Sequence, residues 1–182
     1  MIRHVLLHQG IGLDAFNGLP RRKAVHALYE CCNSVTMAGD LAGGRPYPSR
    51  DALFTTADAV LFALSEASIS EIMQAYPRVG SRPGSAWSHA EQCSVWDPRA
   101  EVMEELRRAA ATYARRFGFE YVMHVGSLTA GCPTREVIAA IEDRMHNDAE
   151  TERKVLRNEI AKLNRSRLER MLGPDGGYDN WA

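Results

Sequence analysis

Apolar residues at helical spacing run through this chain, and the alternation of apolar and polar residues that marks a strand is scarce. From Arg99 to Phe117, Val102, Leu106, Tyr113 and Phe117 recur on one face, with Glu101, Glu104, Glu105, Arg107 and Arg108 turned elsewhere. A sequence of this kind must bury a stripe along each helix, which predicts an all-α fold, a helical bundle. A second amphipathic helix begins near Thr134 and carries Val137, Ile138, Ile141 and Met145. A third runs from about Asp148 to Leu172 through Leu156, Ile160, Leu163 and Met171. Leu19 to Cys32 and Arg50 to Ala75 also read as helical, with Pro20 suited to a first turn and Pro77 ending the second stretch. GGRPYPS at 43–49 and PRVGSRPGSAW at 77–87 break the periodicity and read as loops. The local structure of GSLTAGCP at 126–133 stays open, because the Tyr121–Val125 patch before it has β-like content.

A chain of 182 residues with 45% hydrophobic content is long enough for one substantial core and short for two, so one domain is expected over 1–172. The remainder, 173–182, reads as a flexible tail. The 22 Lys and Arg nearly cancel the 23 Asp and Glu, leaving a net charge of -1 and no field to recruit nucleic acid or an anionic membrane. A small molecule is the expected partner. The opening MIRHVLLHQG has too short an apolar stretch for a signal segment, so the expected location is cytoplasmic. Cys31, Cys32, Cys93 and Cys132 show no zinc spacing, and adjacent Cys31 and Cys32 are unsuited to bridging each other. They read as reduced, mostly buried thiols. Neither they nor His26, His124 and His146 form a metal motif, and no metal site is expected.

Seven short motifs carry more information together than any does alone: FNGLP at 16–20, CCNS at 31–34, RPYPS at 45–49, YPRVG at 76–80, WSHAEQ at 87–92, YARRFGF at 113–119 and KLNRSRL at 162–168. In this order and spacing, over about residues 12–172, the chain resembles the 2-oxo-4-hydroxy-4-carboxy-5-ureidoimidazoline (OHCU) decarboxylase family. The resemblance implies an all-helical, often dimeric protein. Known members decarboxylate OHCU to (S)-allantoin in purine degradation without metal or organic cofactor, so none is expected here.

The departures from the family bear most on chemistry. Where the family reads His-Pro-Arg-Ile-Gly, with the histidine as its principal catalytic residue, this chain has Tyr76-Pro77-Arg78-Val79-Gly80. Glu91 matches the family's important acidic residue, and Arg167 matches an arginine that binds the substrate anion. GSLTAGCP holds roughly three residues more than the corresponding substrate loop and lacks its Gly-Lys-Ser.

A histidine, with a pKa of about 6.5, serves as a base or a cation near neutrality, whereas a phenol at about 10 stays neutral. Tyr76 is therefore either a hydrogen-bonding acid–base group assisted by a nearby base, or an aromatic that fills a degenerate pocket. His89, thirteen residues on across a Pro/Gly/Ser loop, is the candidate base; the alternative is an exposed first-turn histidine. Glu91 also fits a capping box with Ser88, a role compatible with chemistry. Arg167 continues the apolar spacing of Leu156, Ile160 and Leu163, so its stem points to the buried side, where it must meet a protein carboxylate or a substrate anion. Arg78 and Arg45, beside prolines, either bind substrate or fix their loops, with fixing favoured. Pro77 and Trp87 complete the candidate substrate-binding set. Trp87 and Trp96 have core packing as the favoured reading.

These residues fit a cofactor-free acid–base lyase or cyclase on a carbonyl-rich metabolite, acting by dehydration and ring closure through conjugate addition. Enrichment in Arg and Ala fits a high-GC bacterial gene and a role in secondary metabolism. Ordinary OHCU decarboxylation with His89 compensating for the lost histidine, and ligand binding without catalysis, are the two alternatives.

Overall fold

A computed structural model of the chain describes residues 10–76, 78–80, 95–124 and 133–175. Among the described residues it is all-α, with eight helices: α1 (Leu13–Gly18), α2 (Arg21–Cys32), α3 (Val35–Gly43), α4 (Arg50–Ala63), α5 (Glu66–Gln74), α6 (Ala100–Phe117), α7 (Pro133–Arg144) and α8 (Ala149–Leu172). The chain divides into two compact units, one of Met1–His4 with Met73–Ile160 and one of Val5–Ile72 with Ala161–Ala182. The division falls within α5 and within α8.

In the first unit, α6 buries Val102, Met103, Leu106, Ala110 and Tyr113, the face expected from its spacing. Asp97 accepts the backbone N–H of Arg99, the residue just before the helix, at 2.9 Å. Gly118 ends it in the left-handed conformation at φ 79°, with Arg115 and Arg116 placed against the negative end of the helix dipole. Helix α6 packs on α7. Val137, Ile138 and Ile141 of α7 join Val95, Tyr121 and the α6 face in one cluster, against which Val79, Phe117 and Met145 pack. Asp148 starts α8 by accepting from the N–H and the hydroxyl of Thr151 at 2.8 and 2.9 Å.

In the second unit, α3 packs against α2 and α4. Its core includes Phe16, Leu28, Met37, Leu41, Leu53 and Leu61. Helices α1 and α3 are additions to the sequence reading, which left both stretches without structure. Ser34 caps α3 by accepting from Met37 N at 3.2 Å. The single helix expected over Arg50–Ala75 is two, α4 and α5, bent by 110°. At the break Leu64 is extended, and Ser65 accepts from Ser68 N at 3.1 Å to begin α5. Pro20 precedes α2 rather than lying in its first turn, its carbonyl accepting from Lys23 and Ala24. The last carbonyls of α8 are not left to solvent: Gly10, Ile11 and Gly12 donate to Arg170, Met171 and Leu172 at 3.1, 2.9 and 2.8 Å. Arg50 Nη2 donates to the carbonyls of Gly173 and Pro174, so the tail expected over 173–182 starts as an anchored segment.

Two of the sequence motifs meet in this unit. Arg45 Nη1 donates to the carbonyls of Phe16, Asn17 and Leu19 at 2.7, 3.2 and 2.8 Å, while its Nε donates to Ala42. Asn17 and Tyr47 exchange two hydrogen bonds of 2.9 Å, from Asn17 Nδ2 to the Tyr47 carbonyl and from Tyr47 N to Asn17 Oδ1. FNGLP and RPYPS are thus two halves of one clasp. Arg45 fixes its loop, the favoured of its two readings.

Candidate functional site

Of the candidate residues, Tyr76 and Arg78 lie among the described residues of the first unit and Arg167 among those of the second. Pro77, Trp87, His89 and Glu91 lie outside the described residues, as do Cys93, Cys132 and all of the 126–133 segment except Pro133.

Tyr76 sits in the turn that follows α5, where its N–H donates to Met73 O at 3.2 Å. The residue is 8% exposed, so its ring is held by surrounding atoms rather than by solvent. The chain after it is mounted on α6. Val79 packs against the α6–α7 cluster. Gly80 has φ +78°, and a Cβ there would stand 3.2 Å from Leu106 Cδ2. A side chain at this position would meet both a left-handed backbone and a close neighbour, which is why glycine occupies it. Arg78 Nε lies 2.9 Å from Glu120 Oε1, and the Arg78 side chain is 77% exposed. Arg78, Val79 and Gly80 thus each have a mount, and Tyr76 lies buried ahead of them.

A buried polar network underlies the same unit, and the sequence reading did not foresee it. Glu152 is fully buried. It accepts from the Tyr113 hydroxyl, from Arg144 Nε at 2.7 Å and from Asn147 Nδ2 at 2.7 Å, with Arg144 Nη2 at 2.5 Å. Arg144 Nη1 donates to Val122 O at 2.7 Å, and the guanidinium lies 4.4 Å from the centroid of the Tyr121 ring. Tyr113 and Tyr121 meet edge to face at 5.1 Å. Burial pushes the Tyr121 phenol up to about 12, with Arg144 pulling the other way. Burial and then the hydrogen bond to Glu152 raise Tyr113 as well. Both phenols are neutral at physiological pH. The signal in the sequence was slight: Tyr113 was legible only as part of an apolar face, and nothing in the spacing of Arg144 and Glu152 marks them as partners. Next to this network Glu159 Oε2 accepts the backbone N–H of His124 at 2.6 Å, fixing the chain just ahead of the 125–132 stretch.

Arg167 in the second unit is 2% exposed, as its place in the apolar spacing requires. Its Nη1 donates to Cys31 O at 3.1 Å. This acceptor is a carbonyl in the last turn of α2, where unsatisfied C=O groups and the helix dipole concentrate negative charge. The CCNS motif builds this end: Asn33 takes the left-handed conformation, and Cys32 Sγ donates to Ser34 O. Cys31 and Cys32 are buried free thiols, as expected. Burial pushes the Cys32 thiol up to about 11, against the lowering effect of its backbone hydrogen bonds and of Arg167. Trp96 corrects the sequence reading: it is 52% exposed, because Val95 takes the place in the cluster and the indole faces outward.

Three kinds of similarity bear on this arrangement. A family model described as OHCU decarboxylase matches residues 17–169. A curated relative, the uric acid degradation bifunctional protein TTL of Arabidopsis thaliana, is 22% identical over 150 residues, 78% of this chain and 45% of that protein. The chain thus spans less than half the length of that relative. Among solved structures, it is similar to a crystal structure of OHCU decarboxylase in the presence of (S)-allantoin, with TM-score 0.68 and 21% identity over 79% of this chain and 95% of that one. It is also similar to (S)-allantoin synthase, with TM-score 0.70 and 16% identity over 89% of this chain and 54% of that one. At these identities the likeness to solved structures is one of fold.

Proposed function

Because the chain belongs to the OHCU decarboxylase family, we propose that it is an acid–base enzyme that keeps the family's scaffold and runs a changed reaction, centred on Tyr76. The observation that carries this reading is the setting of Tyr76. The residue that stands where the family has its histidine is buried, and the chain after it is held at Val79 against the α6–α7 cluster and at Gly80 against α6.

The chemistry follows from the phenol. Decarboxylation leaves an electron pair on carbon beside an unsaturated group, and removal of a proton next to a carbonyl generates the same kind of enolate. In the proposed reaction a base, His89 in this reading, takes that proton. The enolate then expels a β-hydroxyl, which leaves as water with a proton donated by the Tyr76 phenol. The resulting unsaturated carbonyl is open to conjugate addition and ring closure. The proposed substrate class is a carbonyl-rich small molecule. No cofactor enters these steps. Family membership itself favours a second reading, ordinary OHCU decarboxylation.

OHCU turnover separates the two. A positioned acid or base contributes about 10²–10⁴-fold, so turnover is expected to be at least ~100-fold below that of a histidine-bearing relative. Tyr76→His should raise it, and Tyr76→Phe, which keeps the ring and removes the hydroxyl, should abolish the native reaction without unfolding the chain. Stereospecific formation of (S)-allantoin at a relative's rate would establish the second reading instead. Full native activity of Tyr76→Phe would leave Tyr76 as a packing residue.

A further inference from the structure

We propose that Glu120 is a positioning residue for Tyr76, acting through Arg78, and that Arg78 is a mount of the turn rather than a contact for substrate. Resting as it does on the reading of Tyr76 as the acid–base group, the assignment names how the turn is held where chemistry needs it.

After Tyr76 the chain has an apolar mount at Val79, on the cluster that α6 and α7 build, and a steric one at Gly80, on α6. These two fix the far end of that stretch. Tyr76 lies at the near end, two residues before Arg78, and the ion pair of Arg78 Nε with Glu120 Oε1 at 2.9 Å ties that part of the turn to the chain leaving α6. Glu120 is itself well placed to hold a fixed position. Its neighbours Tyr121 and Val122 are buried. The Val122 carbonyl accepts from Arg144 of the buried network, and Phe119 packs on Tyr113 at 5.9 Å between ring centroids. Glu120 therefore projects from a rigid stretch, and the half-buried carboxylate transmits that rigidity to an otherwise exposed arginine. A charge-assisted N–H to carboxylate bond of this length is short and directional. It engages the Nε edge of the guanidinium, one of the two edges that can hold a carboxylate.

An exposed or half-exposed ion pair is weak, so the effect has a ceiling: a coupling of this kind changes a population by up to about five-fold. That is small for stability and readable in a catalytic rate. The test places 3-fluorotyrosine at position 76 and follows its ¹⁹F resonance, with thermal melting as the check on folding. Glu120→Gln should move or broaden the resonance while leaving the melting temperature within ~2 °C, and the exchanged pair Arg78→Glu with Glu120→Arg should return it. In the Tyr76→His background, Glu120→Gln should lower kcat for OHCU by about two- to five-fold with KM unchanged. A resonance indifferent to Glu120→Gln overturns the assignment, and so does one that moves but is not restored by the exchange. A rise in KM equal to the fall in kcat/KM would make Arg78 a substrate contact and overturn it too. If no variant turns over OHCU, the expectation that Tyr76→His raises that reaction fails, while the resonance still decides the role of Glu120.

Discussion

Replacing Arg144 by methionine should be among the most destabilising single changes available in the first unit. The side chain contributes two nitrogen contacts to a fully buried carboxylate, Nε at 2.7 Å and Nη2 at 2.5 Å, and a third bond to Val122 O at 2.7 Å. Methionine keeps much of the stem's volume, so the loss is electrostatic rather than a cavity. What remains is Glu152 with the Tyr113 hydroxyl and Asn147 amide as donors and no opposing charge. Breaking a buried pair by removing one partner costs about 3–5 kcal/mol. For a chain of this size, where 1 kcal/mol shifts the midpoint by about 2–4 °C, the fall is on the order of 10 °C. Urea unfolding followed by far-UV circular dichroism measures the cost directly. The double variant Arg144→Met with Glu152→Gln separates charge from contact. Glutamine keeps an acceptor for Tyr113 and removes the stranded charge, so the double should be more stable than Arg144→Met alone by about 1–2 kcal/mol. A cost below about 1 kcal/mol for Arg144→Met, or costs that simply add in the double, would refute the account of Glu152 as a buried charge held by its partner.

Arg45→Lys should cost about 2 kcal/mol in the same urea assay, because one ammonium cannot span carbonyls on both Ala42 and the Phe16–Leu19 segment; a change within 0.5 kcal/mol would remove the clasp from the account. Alkaline pH should destabilise the fold. The folded values of Cys32 (about 11 against 9.0 unperturbed) and Tyr121 (about 12 against 10.0) lie above those of the unfolded chain, and Tyr113 shifts in the same direction. The unfolded state therefore loses protons first, so the contribution is whole below about pH 9 and is lost between about pH 9 and 12. Tyrosinate absorbance at 295 nm should show at least two phenols, those of Tyr113 and Tyr121, that ionise only as circular dichroism reports unfolding; a full complement titrating near pH 10 in the folded chain would contradict their burial.

The sequence by itself determined the helical class, the faces of the later helices and the family. Val102, Leu106, Tyr113 and Val137, Ile138, Ile141 are buried where a 3.6-residue period put them, because a helix's apolar stripe has no other stable destination. Helices α1 and α3 and the α4–α5 break were harder to read from periodicity, since short helices give it too few turns. Ser34 and Ser65, at the starts of α3 and α5, are the local signal for those two, and α1 has no capping side chain. Tertiary structure alone decided which polar residues meet. Arg45 reaches back nearly thirty residues to FNGLP, Arg78 finds Glu120, and Arg144, Tyr113 and Glu152 close around one buried charge. The same reason holds for each. A polar side chain carries no periodic signature of its partner, and the partner is fixed only when packing removes water and leaves one geometry in which every donor and acceptor is satisfied.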